Sequence, residues 1–511
     1  MSGSSYALRV TIFVFVVAVS ALSVGISVYF ISMSYNLYML VVSLLFLILS
    51  LIASIFNIIA AFWYYNSYFY KSKYTYAASR NKRLDYYPTV AIAVPTYNEP
   101  ASEVISTMEK AKRIKYPRNR INFYLLDDST NEEIASKLSK YASESGVNYI
   151  HRDNRKGFKA GALNNLLRQS SEEFIAIFDA DEYLTNRNFL IELLPIFKDR
   201  DIAYVQTEKR YAKNNLFSNA VDMMFAFFFK FAQTSRAMRD TANFAGSCAI
   251  VRKDALLKIG GFPEHVLEDT FLSFEMKNNN FKGVYIHKNY ALGRPMNKFI
   301  AFARQQWRYN YGGTEFLYHY LKTKKEYKAN TMSKLDYISH GFGLNYISII
   351  LILFTILSVL ITFGGFPFAH ASVSQLLSAN YINEFFELGL LTTLVIFIAP
   401  LLLSKIYFNS FKSGIMVYIL NFSVAFIRAK AAVQATLGLK PKNLWAKGNL
   451  GTRRGAFLFA LKNSVAEVSF STVLFAFSVF AIANSNFSGG IWLLWYSLLY
   501  GSTFVFFYKY R

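Results

Sequence analysis

Residues 174–183 read FIAIFDADEY, an apolar run that ends in three acidic residues within four positions. The run FIAIF has the length and composition of a buried β-strand, and Asp179, Asp181 and Glu182 follow it directly. Like charges repel, so crowded carboxylates are unstable unless a cation neutralises them. Magnesium and manganese prefer oxygen ligands and bridge diphosphate groups. The stretch therefore predicts a buried strand whose end presents carboxylates to a metal, with a solvated acidic turn as the alternative.

Two earlier segments show the same pattern of an apolar strand followed by a polar turn. They are TVAIAVPTYNEP at 89–100 and INFYLLDDS at 121–129, and a third strand is predicted at 147–153. Segments of helical character lie at 101–113, 131–145 and 160–167. Strands that alternate with helices predict a mainly parallel sheet with helices on both faces. Ligands bind outside the carboxyl ends of such strands, so we expect the polar clusters to converge on one site.

Long apolar runs flank this α/β region in a chain of 511 residues that is 53% hydrophobic and 18% aromatic. Each run is close to or above the roughly 20 residues that span a bilayer as a helix. Two runs precede the region and four follow it, at about 9–31, 37–65, 340–363, 387–404, 464–483 and 491–508. The sequence therefore predicts an integral membrane protein with six spans around a soluble domain.

The net charge of +23 is unevenly distributed over the connectors between these spans. The connectors at 32–36, 364–386 and 484–490 contain no Lys or Arg, whereas the remaining connectors are basic. Lys and Arg accumulate on the cytoplasmic side of membrane proteins, so the charge indicates topology and not nucleic-acid binding. We expect a multi-pass protein of the cell membrane, in contact with the lipid bilayer, whose central domain and both termini are cytoplasmic.

The apolar run at 414–436 differs from the six spans because it carries Arg428 and Lys430 and has basic flanks. With six spans, both ends of this run fall on the cytoplasmic side. A charged, partly apolar helix there is typical of one that lies at the membrane interface. A seventh span is the alternative.

Cysteine and histidine usage excludes two kinds of site. The single cysteine, Cys248, rules out a disulfide framework and a cysteine metal cluster. The six histidines lack the spacing of metal ligands. The acidic residues at the strand ends therefore stay the metal-ligand candidates.

Seven short motifs resemble those of the processive, membrane-embedded family 2 glycosyltransferases, which include cellulose, chitin and hyaluronan synthases. In chain order they are PTYNE (95–99), LLDDS (125–129), GFKAGALN (157–164), FDADEY (178–183), FAGS (244–247), LEDT (267–270) and QQWRY (305–309). One such motif is weak evidence, but seven in the family's order between apolar spans are specific. The resemblance implies an α/β, Rossmann-like GT-A domain that transfers sugar with inversion from a nucleotide-sugar, foremost a UDP-sugar, to a growing β-glycan.

The resemblance implies roles for residues on the donor side of this reaction. Thr96 and Glu99, after the first strand, and Asp127, after the second, would contact the nucleoside. Lys159 of GFKAGALN would approach the diphosphate.

The resemblance also implies which residues hold the metal and perform the chemistry. Asp179 and Asp181 would contact the nucleotide-sugar and hold Mg²⁺ or Mn²⁺, with Asp181 as the more direct ligand. Asp269 would be the general base, with Glu268 beside it as a second catalytic candidate. Because 270–277 has helical character, a helix N-cap is the alternative role for Asp269.

The QQWRY motif lies in 298–312, which predicts a basic amphipathic helix on the membrane surface. By resemblance, four of its residues would bind the acceptor, namely Gln305, Gln306, Trp307 and Tyr309. Arg308 would flank the diphosphate. The later stretch KGNLGTRRG at 447–455 resembles a segment that closes over the nucleotide, in which Arg453 would clamp the diphosphate.

Some residues depart from the family pattern. Tyr309 stands where the signature has Trp, Leu450 replaces the Trp of the later motif, and Ala245 stands where cellulose synthases often have Cys. These differences weaken an assignment to cellulose or hyaluronan in particular. For Trp307 and Tyr309, the alternative to binding the acceptor sugar is a role as aromatic residues at the membrane interface.

The predicted domains are two N-terminal spans, the GT-A domain, an interfacial helix region, and four spans with an interfacial helix and a gating-like loop at about 414–462. Their bounds are 1–69, 70–297, 298–339 and 340–511. We expect a synthase that also exports its glycan. Two alternatives are transfer of a single sugar to a lipid, such as polyprenyl phosphate or diacylglycerol, and a transporter or channel with a nucleotide-binding regulatory domain. No partner protein is indicated.

Overall fold

In this computed structural model the described residues are 3–32, 34, 36–70, 84–323, 331–364, 401, 404–439 and 452–511. The chain begins with two long apolar helices, α1 (Gly3–Ser32) and α2 (Leu37–Asn66), and a 3₁₀ turn at Ser67–Phe69 follows. The helices form an antiparallel pair. Arg9, near the start of α1, donates a hydrogen bond of 3.0 Å to the carbonyl of Tyr64, near the end of α2.

An eight-stranded mixed sheet forms the centre of the following region. Its strands are β1 (Val90–Thr96), β2 (Ile121–Asp127), β3 (Asn148–His151), β4 (Phe174–Ile177), β5 (Glu182–Leu184), β6 (Ile202–Tyr211), β7 (Ala249–Arg252) and β8 (Lys282–Gly293). They lie in the order β3-β2-β1-β4-β7-β6-β8-β5. The first four strands run parallel, as do β6 and β8, whereas β7 and β5 are antiparallel to their neighbours. The prediction of a mainly parallel sheet is confirmed for β1–β4.

Helices connect the strands and cover the sheet. They are α3 (Ala101–Ala111), α4 (Glu132–Ser145), α5 (Phe158–Gln169), α6 (Phe189–Leu193), α7 (Leu216–Phe227), α8 (Thr234–Ala237), α9 (Lys253–Lys258) and α10 (Glu268–Asn278). Short 3₁₀ turns lie at Arg118–Arg120 and Leu194–Lys198, and a π-helical turn at Phe228–Gln233 joins α7 to α8. The Asn131 side chain caps α4, and Gly146 ends it with a φ of +68°, which glycine adopts without strain.

Strand β1 shows how both faces of the sheet are buried. Val90, Ile92 and Val94 point into a core beneath α3 and α4, whereas Ala91 and Ala93 point into a second core beneath α5 and α10. All five side chains are fully buried. Successive side chains of a strand point to opposite faces, so an uninterrupted apolar strand requires cover on both sides.

The rest of the chain is helical within the described residues. The helices are α11 (Phe299–Thr323), α12 (Thr331–Phe363), α13 (Phe411–Ser423), α14 (Ala425–Thr436), α15 (Arg453–Asn463), α16 (Val465–Ala483) and α17 (Phe487–Lys509). The predicted amphipathic helix is therefore the first part of α11. Helices α13 and α14 meet at an angle of 44°.

Among the described residues, five helices are long and apolar enough to cross a bilayer, or up to six if α13 and α14 form one broken span. The five segments are Tyr6–Ser32, Leu37–Phe69, Tyr346–Phe363, Val465–Ala483 and Gly489–Lys509, and they match five predicted spans. The remaining predicted span, 387–404, lies outside the described residues except for 401 and 404. Both interpretations of 414–436 stay predictions, since a bent helix pair fits either of them.

Polar contacts join the sheet domain to the ends of the apolar helices. Asn66, at the end of α2, donates a 3.1 Å hydrogen bond to the hydroxyl of Ser235 in α8. Arg239, just after α8, forms a two-pronged ion pair of 2.6 and 2.8 Å with Asp336 in α12. These contacts hold the domain against the ends of α2 and α12.

Candidate active site

Three parallel strands end side by side, and this brings three predicted site residues to one edge of the sheet. Strands β1 and β2 are paired so that Thr96 lies opposite Asp127. On the other side of β1, the amide of Phe178 donates a 3.1 Å hydrogen bond to the carbonyl of Ala93. Asp179 follows directly at the same edge.

Asp127 is fully buried, and its carboxylate lies next to two aromatic rings. Its carboxylate accepts hydrogen bonds from the amide of Ser129 at 2.9 Å and from the hydroxyl of Tyr149 at 2.7 Å. Burial and this carboxylate raise the pKa of Tyr149. His151 Nδ1 lies 3.6 Å from Asp127, and its ring is stacked on Tyr149 at 6.1 Å between centroids. Asp127 therefore orients two rings that border the strand ends.

The turn after β1 is closed by its own polar groups. Glu99 accepts hydrogen bonds from the Thr96 hydroxyl at 2.8 Å and from the Tyr97 amide. Asn98 has a φ of +59°, a left-handed conformation that Asn tolerates. The guanidinium of Arg155 lies 3.3 Å from the centroid of the Tyr97 ring. This cation–π contact attaches the loop before α5 to the turn.

Two lysines form ion pairs with two of the three acidic residues of the opening stretch. Lys159 forms an ion pair with Asp179, and Lys209 lies 3.0 Å from both Asp179 and Glu182. Glu182 also accepts the Asp179 amide at 3.1 Å. Burial opposes charge on these groups, but the lysines hold the pKa of Asp179 well below its usual range and the carboxylates raise the pKa of both lysines.

Asp181 is the exposed member of the acidic stretch. Its carbonyl accepts the amide of Arg294 at 2.9 Å. Desolvation by the surrounding cleft, together with repulsion from Asp179 and Glu182, raises the pKa of the Asp181 carboxyl to about 7. A bound cation would relieve this repulsion.

The side chains at this edge fit a metal that takes several of its ligands from the substrate. Within the described residues there is no group of three or more His, Cys, Asp or Glu side chains that could hold a metal. Mg²⁺ is usually bound through one or two carboxylates, with phosphate and water oxygens completing its shell. Asp181, with Asp179 next to it, provides such a donor set.

Gly246 of the FAGS motif lies where two other motifs, GFKAGALN and LEDT, meet. Its carbonyl accepts a 2.9 Å hydrogen bond from Lys159. A β-carbon added at Gly246 would lie 3.5 Å from Lys159 Nζ, 3.7 Å from Glu268 Oε1 and 3.9 Å from Asp269 Oδ2. Its φ of +81° is a conformation that other residues rarely adopt. The backbone conformation, and not a lack of space, therefore favours glycine at this position, around which the lysine and the two acids lie.

Asp269 lies in the first turn of α10 and not at its N-cap. The N-cap residue is Leu267, which makes no side-chain capping bond, and Asp269 Oδ1 accepts the amide of Thr270 at 2.7 Å. Burial and repulsion from Glu268 raise the pKa of Asp269 to about 6. A carboxylate with this pKa is mostly ionised at neutral pH and accepts a proton more readily than an ordinary aspartate.

One face of α11 borders the strand ends. Tyr309 is surrounded by charged groups that include Asp269 and Arg308, and burial raises the pKa of its hydroxyl to about 12. Gln305 Nε2 lies 3.5 Å from the hydroxyl of Tyr211, the last residue of β6. Arg308 is exposed. The structure therefore places Tyr309 near the general-base candidate with Arg308 beside it, and it places Gln305 near the end of β6.

The two other residues of this motif contact a different helix. Gln306 is buried and accepts hydrogen bonds of 3.0 and 2.5 Å from Arg428 in α14. Trp307 donates a 2.9 Å hydrogen bond to Gln434, also in α14. Both of these side chains bond to α14, so an acceptor role for them gains no support from the geometry.

Arg453 is the exposed first residue of α15. Residues 447–451 of the predicted closing segment 447–455, including Leu450, lie outside the described residues. The diphosphate contact of Arg453 therefore stays a prediction.

Two site residues on β6 were missed in the sequence, namely Lys209 and Tyr211. Burial raises the pKa of Tyr211 well above its usual range, and its charged neighbours include Lys209, Asp181 and Glu182. The segment IAYVQTEKRY at 202–211 is another apolar strand that ends in polar residues. The pattern that identified the other clusters could have identified this one.

A comparison with known protein families matches the part of the chain that contains the first five motifs, from PTYNE to FAGS. The family model described as glycosyl transferase family 2 matches residues 91–260, which include the acidic stretch and the FAGS motif. Residues 91–260 therefore belong to glycosyl transferase family 2. The mixed, mostly parallel sheet is a GT-A-like domain, flanked in the described part of the chain by five to six apolar helices.

The chain is distantly similar to bacterial cellulose synthases. It is 31% identical over 232 residues to the cellulose synthase catalytic subunit (UDP-forming) of Pseudomonas fluorescens, covering 43% of this chain and 31% of that protein. It is 31% identical over 235 residues to the cellulose synthase 1 catalytic subunit (UDP-forming) of Komagataeibacter xylinus, covering 45% of this chain and 31% of that protein. The match therefore spans less than a third of the length of each relative.

Among solved structures, the chain is similar to the mannosyltransferase PcManGT from Pyrobaculum calidifontis in complex with GDP-Man and Mn²⁺. The sequence identity is 17% and the TM-score is 0.49, over 75% of this chain and 99% of that one.

Proposed function

We propose that this glycosyltransferase is an inverting polysaccharide synthase, which transfers sugar from a nucleotide-sugar, foremost a UDP-sugar, to the end of a growing β-glycan. The observation that carries the proposal is the meeting of Lys159, Glu268 and Asp269 around Gly246, beside the Asp179–Asp181 stretch. An inverting transfer needs a group that accepts a proton next to groups that bind the donor diphosphate.

In the proposed reaction, Asp269 accepts the proton of the acceptor hydroxyl as its oxygen attacks the anomeric carbon of the donor sugar. The new carbon–oxygen bond forms while the bond to the diphosphate breaks, and the nucleoside diphosphate leaves with the electron pair. The raised pKa of Asp269, about 6, suits a base that works near neutral pH. Lys159 and Arg308 would provide positive charge beside the departing diphosphate.

Asp181, with Asp179 next to it, would hold Mg²⁺ or Mn²⁺ together with the diphosphate. When bound, the metal would neutralise negative charge on the departing diphosphate. On the nucleoside side, Thr96 and Glu99 form the turn after β1, and Asp127 orients the Tyr149 and His151 rings. A nucleobase would bind against these rings.

Export is the further part of the proposal, and the apolar helices support it. Two hydrogen-bonded pairs, Gln306 with Arg428 and Trp307 with Gln434, attach α11 to α14. Because α11 also presents Tyr309 to the strand ends, these contacts link the transfer site to the bent α13–α14 pair. We propose that the growing glycan passes from Tyr309 between the apolar helices.

The proposal is tested by incubating the purified full-length protein with UDP-sugars and GDP-sugars, and by measuring released nucleoside diphosphate. Membrane vesicles with the active, radiolabelled donor then identify the product. We expect a high-polymer glycan that Asp269→Asn vesicles do not make. A chloroform-soluble glycolipid would show that the enzyme transfers a single sugar to a lipid and is not a polysaccharide synthase. No incorporation from any donor would contradict transferase activity.

The cytoplasmic position of the domain is a separate proposal that rests on charge. Lys462 lies before α16 and Lys509 ends α17, whereas the connector between these helices, 484–486, carries no Lys or Arg. In intact cells, a membrane-impermeant thiol reagent should label Asn484→Cys but not Lys137→Cys, on the exposed surface of α4. The native Cys248 is buried. Labelling of Lys137→Cys without permeabilisation would contradict this orientation.

A further inference from the structure

Lys209 lies at the centre of the acidic cluster, although no motif contains it. Its side chain is 11% exposed, and its Nζ lies 3.0 Å from Asp179 Oδ2 and 3.0 Å from Glu182 Oε1. The carbonyl of Ala245 lies 3.5 Å from the same nitrogen. One lysine therefore binds two of the three acids that end FIAIFDADEY.

These contacts leave the three acids in different states. Lys159 binds the other oxygen of Asp179, so both oxygens of this carboxylate are paired with ammonium groups. Glu182 is 5% exposed and also accepts the amide of Asp179. Asp181 is exposed to solvent. Of the three, Asp181 is the acid most available to a metal ion.

The position of Lys209 is produced by an irregularity in the sheet. Pairing of β6 with β8 shifts register between Thr207 and Glu208 and again between Glu208 and Arg210, the interval that contains Lys209. Bulges of this kind redirect side chains and occur frequently beside active sites. The backbone thus turns Lys209 toward Asp179, on the far side of β7 in the sheet.

We propose that Lys209 is a built-in counter-ion, which keeps Asp179 from binding a divalent metal until a nucleoside diphosphate brings its own oxygen ligands. This inference rests on the proposed function of the site as a metal-assisted nucleotide-sugar site. With Asp179 paired, the protein offers the metal mainly the Asp181 carboxylate. The metal then binds firmly only with the diphosphate, because phosphate oxygens complete the shell that the protein leaves open. Lys209 is accordingly a positioning residue for the acidic stretch.

The test is Mn²⁺ binding to the purified full-length protein in detergent, measured by electron paramagnetic resonance without any sugar donor. Wild type should bind Mn²⁺ weakly alone and more tightly with UDP or GDP. Lys209→Met frees one oxygen of Asp179 and should strengthen nucleotide-free binding about tenfold, a factor within the energy of one charged contact. Lys209→Arg should resemble wild type, as should Lys213→Met, which removes an exposed lysine from the same segment.

Unchanged nucleotide-free affinity in Lys209→Met would overturn the proposal, and so would wild-type protein that binds Mn²⁺ equally well with and without the nucleotides. Thermal unfolding establishes whether Lys209→Met is folded, and Lys209→Gln replaces it if not. If neither variant folds, the wild-type comparison decides. These readouts require no sugar transfer, so a failed donor screen and a failed counter-ion role are distinguishable.

Discussion

The sheet edge where β1, β2 and β4 end, which we propose binds the donor and call the donor edge, is built differently from helix α11, which we propose borders the acceptor. At the donor edge, residues from separate motifs lie side by side, with Thr96 opposite Asp127 and Asp179 next to them. On α11, neighbouring residues of a single motif separate. Tyr309 borders the strand ends, whereas Trp307 bonds to α14.

The difference has a geometric cause. Parallel strands end at one edge of their sheet, so a polar residue just after any strand reaches the same cleft. Consecutive residues of an α-helix point about 100° apart, so a five-residue motif surrounds the helix. When two faces of the helix are packed, as in α11, the motif does not specify which residues face the substrate.

The largest expected effect lies at the donor edge. Asp181→Asn should lower transfer at least about a thousandfold, because a bound metal contributes several kcal/mol to stabilising the departing diphosphate. EDTA should abolish activity of the wild-type enzyme, and Mn²⁺ or Mg²⁺ should restore it. Released nucleoside diphosphate is the readout, and Asp85→Asn, at an exposed surface position, is the control. Full activity in excess EDTA would reject the metal site.

The second prediction concerns the pH dependence of the reaction. The base must be ionised to accept a proton, and the pKa of Asp269 is raised to about 6. The turnover rate should therefore fall about tenfold for each pH unit well below 6 and level off above it. Repulsion from Glu268 contributes to the raised pKa, so Glu268→Gln should move the acidic limb to lower pH. If the acidic limb did not move in Glu268→Gln, the pH dependence would not arise from Asp269 and Glu268.

A smaller effect is expected on the site-facing side of α11. Tyr309→Leu removes the ring that would support the acceptor sugar, which should raise the acceptor KM about fivefold, or about 1 kcal/mol. Tyr309→Phe keeps the ring and is the matched control. The donor KM should stay the same in both variants. Initial rates at varied acceptor concentration measure the effect. A change confined to the donor KM would show that Tyr309 contacts the donor and not the acceptor.

The smallest effect is expected on the opposite face. Trp307→Phe removes the hydrogen bond to Gln434 and should lower stability by about 1 kcal/mol, with little change in either KM. Thermal unfolding in detergent provides the readout. The double variant with Gln434→Leu should lose less than the sum of the two single variants, because both remove one shared contact. A strongly raised acceptor KM in Trp307→Phe would indicate that Trp307 contacts the acceptor after all.

Much of the donor edge could be predicted from sequence because its signals are local. Strands β1–β4 are apolar runs that end in polar residues, and α3–α5 follow from helical periodicity between them. Asn131 and Gly146 mark the ends of α4 in the manner expected of capping residues. The parallel topology then places the strand ends together.

The rest depends on contacts between distant parts of the chain. Lys209 reaches Asp179 because of a register shift in β6, and the antiparallel β7 lies between their strands. The bend between α13 and α14 occurs near Val424, where the sequence contains no proline that would predict it. Likewise, the pairing of Gln306 with Arg428 depends on where α14 packs.

The division of labour between donor binding and chemistry is tested most directly by measuring binding and rate on the same preparations of Asp269→Asn. This change keeps the shape of the side chain but removes the carboxylate that accepts the proton. Turnover should fall by about 10²–10⁴-fold, the usual contribution of a general base. Calorimetry should show that nucleoside diphosphate affinity changes only a few-fold, whereas Asp127→Ala loses affinity first. If Asp269→Asn lost nucleotide binding but kept its maximal rate at saturating donor, Asp269 would not be the base.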